Sequence, residues 1–447
     1  MLNVQKRYKK RLTPVQILAL GFFSVIMIGS FLLMLPISSK VGTVTPFIDA
    51  FFTSTSAVCV TGLVTLNTGE HWSYFGSTVI MFLIQIGGLG FMSFATLFAL
   101  LLGKKITLKE RLIMQEAMNS FSLQGLVKLA KYILIFTFSV EGVGALFLAT
   151  KFIPEYGLEK GTYFAIFHSV SAFCNAGFDL TGNSLVPYAD NTVIILTISA
   201  LIIIGGLGFA VWAEIYNYKG LKKLSVHSKL VITMTLILLI GGWILMFILE
   251  AGNPETLKPM SLKGKLLSSL FASVSPRTAG FNSISTSGMT LGGITLTIIL
   301  MFIGGSPGGT AGGIKTTTTG ILLMTIICMI KNREDTTVFN RTITKGLVYK
   351  AFVISTIAMG VVIVDTMILS ITEVGASLEY ILYEIVSAFG TVGLTLGLTP
   401  KLTVVGKLLI ALTMYIGRVG PLTLFLALSS KKNGSSIKYP EGKILVG

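Results

Sequence analysis

The sequence has few charged side chains, and this scarcity excludes a soluble globular protein. Only 12% of the 447 residues are Asp, Glu, Lys or Arg, whereas 52% are hydrophobic and the mean hydropathy is +0.82. Soluble domains carry roughly twice that charged fraction. Charge-free windows of at least the roughly 20 residues that a bilayer-spanning helix needs lie at 12–39, 72–103, 191–213 and 230–249. The chain is therefore predicted to be an all-α integral membrane protein.

Cysteine and histidine are also scarce, with three of each. Their scattered positions exclude a disulfide framework and predict no metal-ligating cluster: Cys59, Cys174, Cys328, His71, His168 and His227. An enzyme would also need paired carboxylates or an activated nucleophile, and the apolar windows offer neither at a workable spacing. We expect no enzymatic activity and no covalently bound cofactor. Glu141 and Asp365, which lie within apolar windows, are expected to pair with buried bases or to face an interface.

Acidic residues are fewer than basic ones, 19 against 35, which gives a net charge of +16. The basic residues are clustered near 6–11, 104–111, 219–229, 331–345 and 431–438. Such clusters flank spans on the cytoplasmic side, so they predict a multi-pass protein of the cell membrane with both termini in the cytoplasm. The basic clusters are suited to binding anionic lipid headgroups or a docking partner, and they do not predict nucleic-acid binding. No small-residue cleavage site follows the first span, which is therefore predicted to be retained.

A glycine turn recurs four times, centred on Gly62, Gly177, Gly280 and Gly393, at intervals of 103 to 115 residues. A second glycine cluster follows each turn: Ile86–Phe91 recurs almost unchanged as Ile204–Phe209, and weaker copies begin at Ile303 and Ile416. A period this long indicates repeated subdomains. The predicted units are 1–115, 116–220, 221–335 and 336–447.

Each unit is predicted to contain a spanning helix, a half-length re-entrant helix, the turn and a second spanning helix. The first helices are placed near 14–36, 128–150, 229–250 and 347–371, the half-length helices near 46–58, 161–174, 262–275 and 378–390, and the second helices near 76–102, 191–217, 290–330 and 402–429. Two crossings per unit give four parallel repeats about an axis along the membrane normal. The predicted fold has eight spans and four re-entrant helices around a central pore.

The four turns are predicted to line that pore, because irregular backbone at membrane depth is tolerated only beside water or inside protein. Glycine permits backbone angles that let neighbouring carbonyls point the same way, and converging carbonyls can replace the hydration shell of a weakly hydrated cation. The candidate residues are Val60, Thr61, Gly62, Asn175, Ala176, Gly177, Thr278, Ala279, Gly280, Thr391, Val392 and Gly393. The alternative is that these glycines only permit close helix packing. Ser56, Ser171 and Ser387 precede their glycines by six residues and Ser275 by five, which predicts a differently shaped third turn.

The third unit has an interrupted second helix at 304–318. Its glycines and Pro307 are strong helix breakers. The stretch resembles a phosphate-binding loop, but Ile314 stands where that motif requires lysine. The alternative to a functional loop is a passive kink in a packed helix. Arg418 occupies the position of Gly88 and Gly206 in the first two units. An uncompensated charge within a span costs at least ~2.5 kcal/mol. The alternative to a buried role is that the Arg418 side chain snorkels to the membrane surface at the helix end.

The four turns and this loop, together with the chain as a whole, resemble the Trk, Ktr and plant HKT superfamily of potassium transporters, most closely the bacterial Ktr membrane subunit. The resemblance implies that the four glycines form a selectivity filter, with potassium at its backbone carbonyls, and that Gly62 favours potassium over sodium. It implies a gating loop beneath the filter, with Arg418 bracing the pore beside it. The implied gate residues are Gly304, Gly305, Ser306, Gly308, Gly309, Thr310, Gly312, Gly313, Lys315 and Arg418.

The same resemblance implies potassium uptake that depends on sodium, a homodimer, and a separate cytoplasmic ring of nucleotide-binding RCK subunits. The alternative is a secondary carrier with an occluded midplane ion site. Carriers with inverted repeats need an odd number of crossings per repeat. The predicted two crossings per unit therefore favour a pore.

Overall fold

The structure, a computed structural model, describes residues 13–90, 112, 126–216 and 224–420. The described chain is almost entirely helical, and its two short strands, β1 (Thr337–Val338) and β2 (Arg341–Thr342), form one antiparallel hairpin. The basic clusters at 6–11, 104–111 and 431–438, residues 219–223, and the predicted helix ends at 91–102 and 421–429 lie outside the described residues.

Four helices in the described ranges are each long and apolar enough to cross a bilayer. They are α1 (Pro14–Met34), α5 (Leu126–Tyr156), α9 (Val226–Glu250) and α13 (Lys345–Thr372). Apolar side chains form an outward surface on each, and the inner faces are buried. Their bounds lie within a few residues of the predicted first helices, except that α5 runs on to Tyr156.

A half-length helix follows each of these long helices and packs against it. These are α2 (Phe47–Cys59), α6 (Leu158–Phe173), α10 (Leu262–Val274) and α14 (Leu378–Gly390). Serine hydroxyls fix three of the four pairs: Ser54 donates to the Ile26 carbonyl at 2.7 Å, Ser169 to Glu141 at 2.6 Å and Ser273 to Leu239 at 2.8 Å. Each of these helices ends at one of the predicted glycine turns.

The helices that follow the turns are shorter. They are α4 (Tyr74–Leu89), which comes after the one-turn helix α3 (Thr68–His71), then α7 (Thr192–Gly206), α8 (Phe209–Tyr216), α11 (Leu291–Phe302), α12 (Thr316–Ile330) and α15 (Val404–Val419). Side chains cap several of them, as when Ser73 accepts from the Gly76 N–H at 3.2 Å. The predicted break in the third unit is present, because 304–315 separates α11 from α12.

The predicted continuous helix 191–217 is wrong. It bends by 95° between α7 and α8. The carbonyls of Gly205 and Gly206, which a straight helix would use for its next turn, accept instead from the N–H groups of Thr310 (3.2 Å) and Ser306 (3.0 Å). Gly208, with φ of +94°, completes the bend. The loop that interrupts the second helix of the third unit therefore also breaks the second helix of the second unit.

The chain closes into a ring where α15 packs against α2. Lys407 forms an ion pair with Asp49 at 2.7 Å, and the Tyr415 hydroxyl donates to the Ala19 carbonyl at 2.7 Å. These contacts join residues more than 350 positions apart. They place the last described helix beside the first two, so that the four turns surround one axis.

Of the two alternatives predicted for Glu141 and Asp365, the described residues show no pairing with a buried base and do show contacts at helix interfaces. The Gln85 amide donates to Glu141 at 3.1 Å, and the Thr413 hydroxyl donates to Asp365 at 2.7 Å. Both carboxyl groups are buried and join neighbouring helices by neutral donors. They are helix-packing contacts.

Candidate functional site

The four turns share one backbone conformation. The residue two positions before each glycine is left-handed: Val60 (φ 58°), Asn175 (61°), Thr278 (73°) and Thr391 (50°). The glycines themselves have positive φ: Gly62 (96°), Gly177 (68°), Gly280 (76°) and Gly393 (95°). Positive φ at a non-glycine residue is uncommon and costs about 1 kcal/mol or more. Its recurrence at four equivalent positions shows that the surrounding packing imposes the conformation.

The four glycines lie in a closed ring. A β-carbon built on Gly62 would lie 2.5 Å from the Ala176 carbonyl oxygen, one on Gly177 would lie 2.9 Å from that of Ala279, and one on Gly280 would lie 2.5 Å from that of Val392. A β-carbon on Gly393 would overlap the carbonyl oxygen of Thr61 and so closes the circle. The carbonyl before each glycine therefore packs on the glycine of the preceding turn, which leaves no space for a side chain.

Side-chain hydrogen bonds hold the turns onto the half-length helices, in two patterns. Ser56 accepts from the Gly62 N–H at 3.0 Å, and Ser387 accepts from Gly393 at 3.1 Å. Ser171 instead donates to the Phe178 carbonyl at 2.8 Å, and Ser275 donates to that of Phe281. Turns one and four are thus alike, as are turns two and three.

The third turn begins one residue closer to its helix. The Ala279 N–H donates to the Ser275 carbonyl, four residues back, at 2.9 Å. The matching bonds of Thr61, Ala176 and Val392 reach five residues back, at 2.7 to 2.8 Å. The turn itself keeps the common backbone conformation, so the shorter spacing is absorbed at the helix end. The side chains of Asn175 and Thr278, 3.2 Å apart, join the second and third turns.

The second glycine clusters pack against the half-length helices. β-Carbons on Gly87, Gly205 and Gly417 would overlap the carbonyl oxygens of Val58, Phe173 and Phe389, respectively. The repeated cluster therefore permits close helix packing, the role that small residues have at membrane helix interfaces.

The loop 304–315 is tied to three parts of the fold. Its ends meet at a parallel bridge between Ile303 and Ile314, and the Thr316 N–H donates to Gly305 at 3.0 Å. Gly308 accepts from the Phe209 N–H at 2.9 Å, at the bend of the second unit. Thr310 donates to the Phe173 carbonyl at 3.2 Å, and a β-carbon on Gly312 would overlap the Thr391 hydroxyl. The loop thus packs directly against the second and fourth turns.

Two cationic side chains hold backbone carbonyls of this region. Arg418 donates to the carbonyls of Thr310, Gly87 and, at 3.2 Å, Gly88. Lys315 donates to the Ala311 carbonyl at 2.6 Å. The Arg418 guanidinium therefore links α15 to the loop and to α4, and the snorkelling alternative is wrong.

Sequence reasoning missed two buried charged residues beside the turns. Arg277 is 7% exposed, and its guanidinium lies 3.4 Å from the Thr235 hydroxyl. Glu384 is fully buried in α14. Its signal in the sequence is an acidic residue in the middle of a half-length helix whose other acidic residue, Glu379, lies in the first turn. The described residues contain no group of three or more His, Cys, Asp or Glu side chains that could hold a metal ion, so carbonyl and hydroxyl oxygens are the cation ligands that this site offers.

A helical fold with long apolar helices and four glycine turns packed in a ring is typical of a membrane transport protein. The family described as "TrkH: Cation transport protein" matches residues 5–439, and the chain belongs to this family. The match confirms the resemblance to the Trk, Ktr and HKT superfamily that the sequence motifs indicated. Relatives in this family are transport proteins, which also confirms that the chain is not an enzyme.

The comparisons include two curated relatives of nearly equal length. The potassium/sodium uptake protein NtpJ of Enterococcus hirae is 49% identical over 452 residues, covering all of both chains. The Ktr system potassium uptake protein B of Bacillus subtilis is 45% identical, covering 98% of this chain and 97% of the relative. The crystal structure of the potassium transporter TrkH from Vibrio parahaemolyticus superposes with a TM-score of 0.73 at 19% identity, over 95% of this chain and 86% of that one. This last similarity shows the shared fold.

Proposed function

We propose that the chain takes up potassium across the cell membrane through a filter formed by its four glycine turns. The observation that carries this proposal is the closed ring of Gly62, Gly177, Gly280 and Gly393, each packed against a carbonyl of the next turn. Four carbonyl sets around one axis can replace the water of a weakly hydrated cation. The names of both curated relatives, which specify potassium uptake, support the choice of ion.

In this proposal the fold consists of four parallel repeats, 1–115, 116–220, 221–335 and 336–447, with eight spans and four re-entrant helices. The four long helices and the four half-length helices that pack on them support the division. The contact of α15 with α2 supports a circular arrangement. The proposed filter residues are the three of each turn that end at its glycine.

The loop 304–318 is proposed to be a gate. Its backbone bonds to the bend of the second unit, together with the Arg418 bond to Thr310, hold it against the turns. In this proposal the loop blocks the axis on one side of the filter. Lys315 would stabilise its closed form through the Ala311 carbonyl.

The proposal includes sodium as a coupling or activating ion, a membrane-subunit homodimer and a separate cytoplasmic nucleotide-binding subunit ring. The words "potassium/sodium" and "Ktr system" in the names of the relatives support a sodium link and a multi-component system. The basic residues of 331–345 would face the cytoplasmic partner and anionic lipids.

Flux into liposomes tests the proposed function. The purified chain, reconstituted with no partner, should admit potassium and rubidium in preference to sodium, because ring carbonyls spaced for the larger ion solvate sodium less well. The measurement is the uptake of isotopically labelled potassium, rubidium or sodium into the liposomes, with the same ion gradient imposed in each case. Equal permeation by sodium and potassium would contradict the proposal.

The same assay addresses the separate regulatory subunit. ATP or ADP added to the chain alone should leave the flux unchanged, since the nucleotide acts on the partner. A nucleotide effect on the chain by itself would contradict the proposal of a separate regulatory subunit. It would not bear on the proposal of the filter.

A further inference from the structure

A buried carboxyl group lies behind the fourth turn of the proposed filter. Glu384 lies in α14, nine residues before Gly393, and its side chain is fully buried. No basic side chain of the described residues forms an ion pair with it; the one ion pair found there joins Lys407 to Asp49. Burying a carboxyl group is costly unless hydrogen bonds compensate it. The bonds that Glu384 makes therefore indicate what it is for.

Both oxygens of Glu384 bind the segment that follows the fourth turn. One accepts from the Thr395 hydroxyl at 2.7 Å, and the other accepts from the Thr399 hydroxyl. Thr395 comes two residues after Gly393, and Thr399 is fully buried at the start of a short 3-10 helix, Thr399–Lys401. Glu384 thus connects the half-length helix to the chain that leaves the turn.

The segment held by Glu384 also contacts the neighbouring unit. The Thr286 hydroxyl donates to the Thr395 carbonyl at 2.6 Å, and the Gly397 N–H donates to the Thr395 hydroxyl at 2.9 Å. Thr395 is therefore bonded to its own helix, to its own loop and to the third unit. A change at Thr395 would therefore affect the chain that follows both the third and the fourth turn.

The second unit has a comparable contact. Glu384 lies three residues before Ser387, the serine that binds the fourth turn. The equivalent positions in units two, one and three are His168, Thr53 and Ala272, respectively. His168 is fully buried and lies 3.4 Å from the Leu180 N–H, three residues after Gly177. Units two and four face each other across the ring. Two opposite turns are thus held from behind by a buried polar side chain.

We propose that Glu384 is a positioning residue for potassium selectivity, which acts by holding the segment 395–399 and through it the carbonyls of Val392 and Gly393. This inference rests on the proposed filter. Sodium is smaller than potassium, so four carbonyl sets solvate it well only if the turns move inward. Fixing the fourth turn from behind restricts that movement.

Variants of Thr395 test the inference with little change in shape. Thr395→Val removes the hydroxyl and should lower the potassium-to-sodium permeability ratio on the order of tenfold, the effect of losing a hydrogen bond to a charged group. Thr395→Ser keeps the hydroxyl and should retain the ratio. Glu384→Gln should lower the ratio in the same direction, and the double variant should lose less than the sum of the two single effects, because both changes disrupt the shared bond between Thr395 and Glu384.

A matched control lies on the same helix. Glu379 is exposed in the first turn of α14, and Glu379→Gln makes the same chemical change away from the filter segment; it should leave the ratio unchanged. If Glu384→Gln does not fold, the Thr395→Val and Thr395→Ser pair decides. An unaltered chain without selectivity would overturn the proposed function itself. A selective unaltered chain whose ratio survives both Thr395→Val and Glu384→Gln would overturn this inference alone.

Discussion

Replacing Gly62 by serine is expected to lower the preference for potassium over sodium by at least about tenfold. Gly62 has φ of +96°, and a β-carbon there would lie 2.5 Å from the Ala176 carbonyl oxygen and 3.0 Å from the Gly177 α-carbon. Neither neighbour is a flexible side chain that could move aside. The ring must open at this point, which shifts carbonyls of the first two turns from their positions.

Gly42 provides the matched control for this variant. It also has positive φ, +74°, but a β-carbon there would meet nothing within 4 Å. Gly42→Ser therefore adds backbone strain of the same kind outside the ring and should leave the permeability ratio unchanged. Competitive rubidium and sodium uptake by both variants in liposomes is the measurement. If Gly62→Ser kept the full preference, the glycine would serve helix packing alone.

Deleting Gly308–Gly313 is expected to raise potassium flux by roughly an order of magnitude, which corresponds to removing a barrier of about 1.4 kcal/mol. The loop packs against the second and fourth turns, where Thr310 binds the Phe173 carbonyl and Gly312 approaches Thr391. Removing it opens the path on that side of the ring. The permeability ratio should stay near that of the unaltered chain, because the deletion leaves the four turns in place.

A point variant separates loop release from a general loss of packing. Arg418→Gln removes the guanidinium bonds to Thr310, Gly87 and Gly88 and should raise flux in the same direction. The exposed Arg333, which lies past the end of α12 and donates to the Thr337 hydroxyl rather than to the loop, supplies the control Arg333→Gln. Initial rates of rubidium uptake at a fixed gradient measure both. Unchanged flux in the deletion and in Arg418→Gln would reduce the loop to a passive kink.

The sequence indicated the helices and turns well because their signals are local. Apolar windows marked the long helices to within a few residues, apart from the C-terminal extension of α5, and each half-length helix ends at its glycine turn. The glycines at 205, 206 and 208 were only a weak local signal for the bend, because it also depends on Ser306 and Thr310, about 100 residues away, which bind the carbonyls of the helix. Contacts of this kind arise only when separate units pack.

The candidate site shows the same division between local and distant information. Glycine spacing identified the ring positions, and the exchange of glycine for Arg418 drew attention to a buried charge. The partners of Arg418, the carbonyls of Thr310 and Gly87, depend on the arrangement of three units. Glu384 was missed because α14 has two acidic residues, the exposed Glu379 and the buried Glu384, and the sequence does not distinguish them until the partners Thr395 and Thr399 are known.

Locating a bound ion tests the central claim most directly. Rubidium scatters anomalously and replaces potassium in carbonyl sites, so a crystal of the chain grown in rubidium should show its strongest anomalous peak on the axis inside the ring of Gly62, Gly177, Gly280 and Gly393. Such a peak would place the ion among the carbonyls of Thr61, Ala176, Ala279 and Val392. A ring without rubidium, in a crystal that holds the ion elsewhere in the protein, would contradict the account.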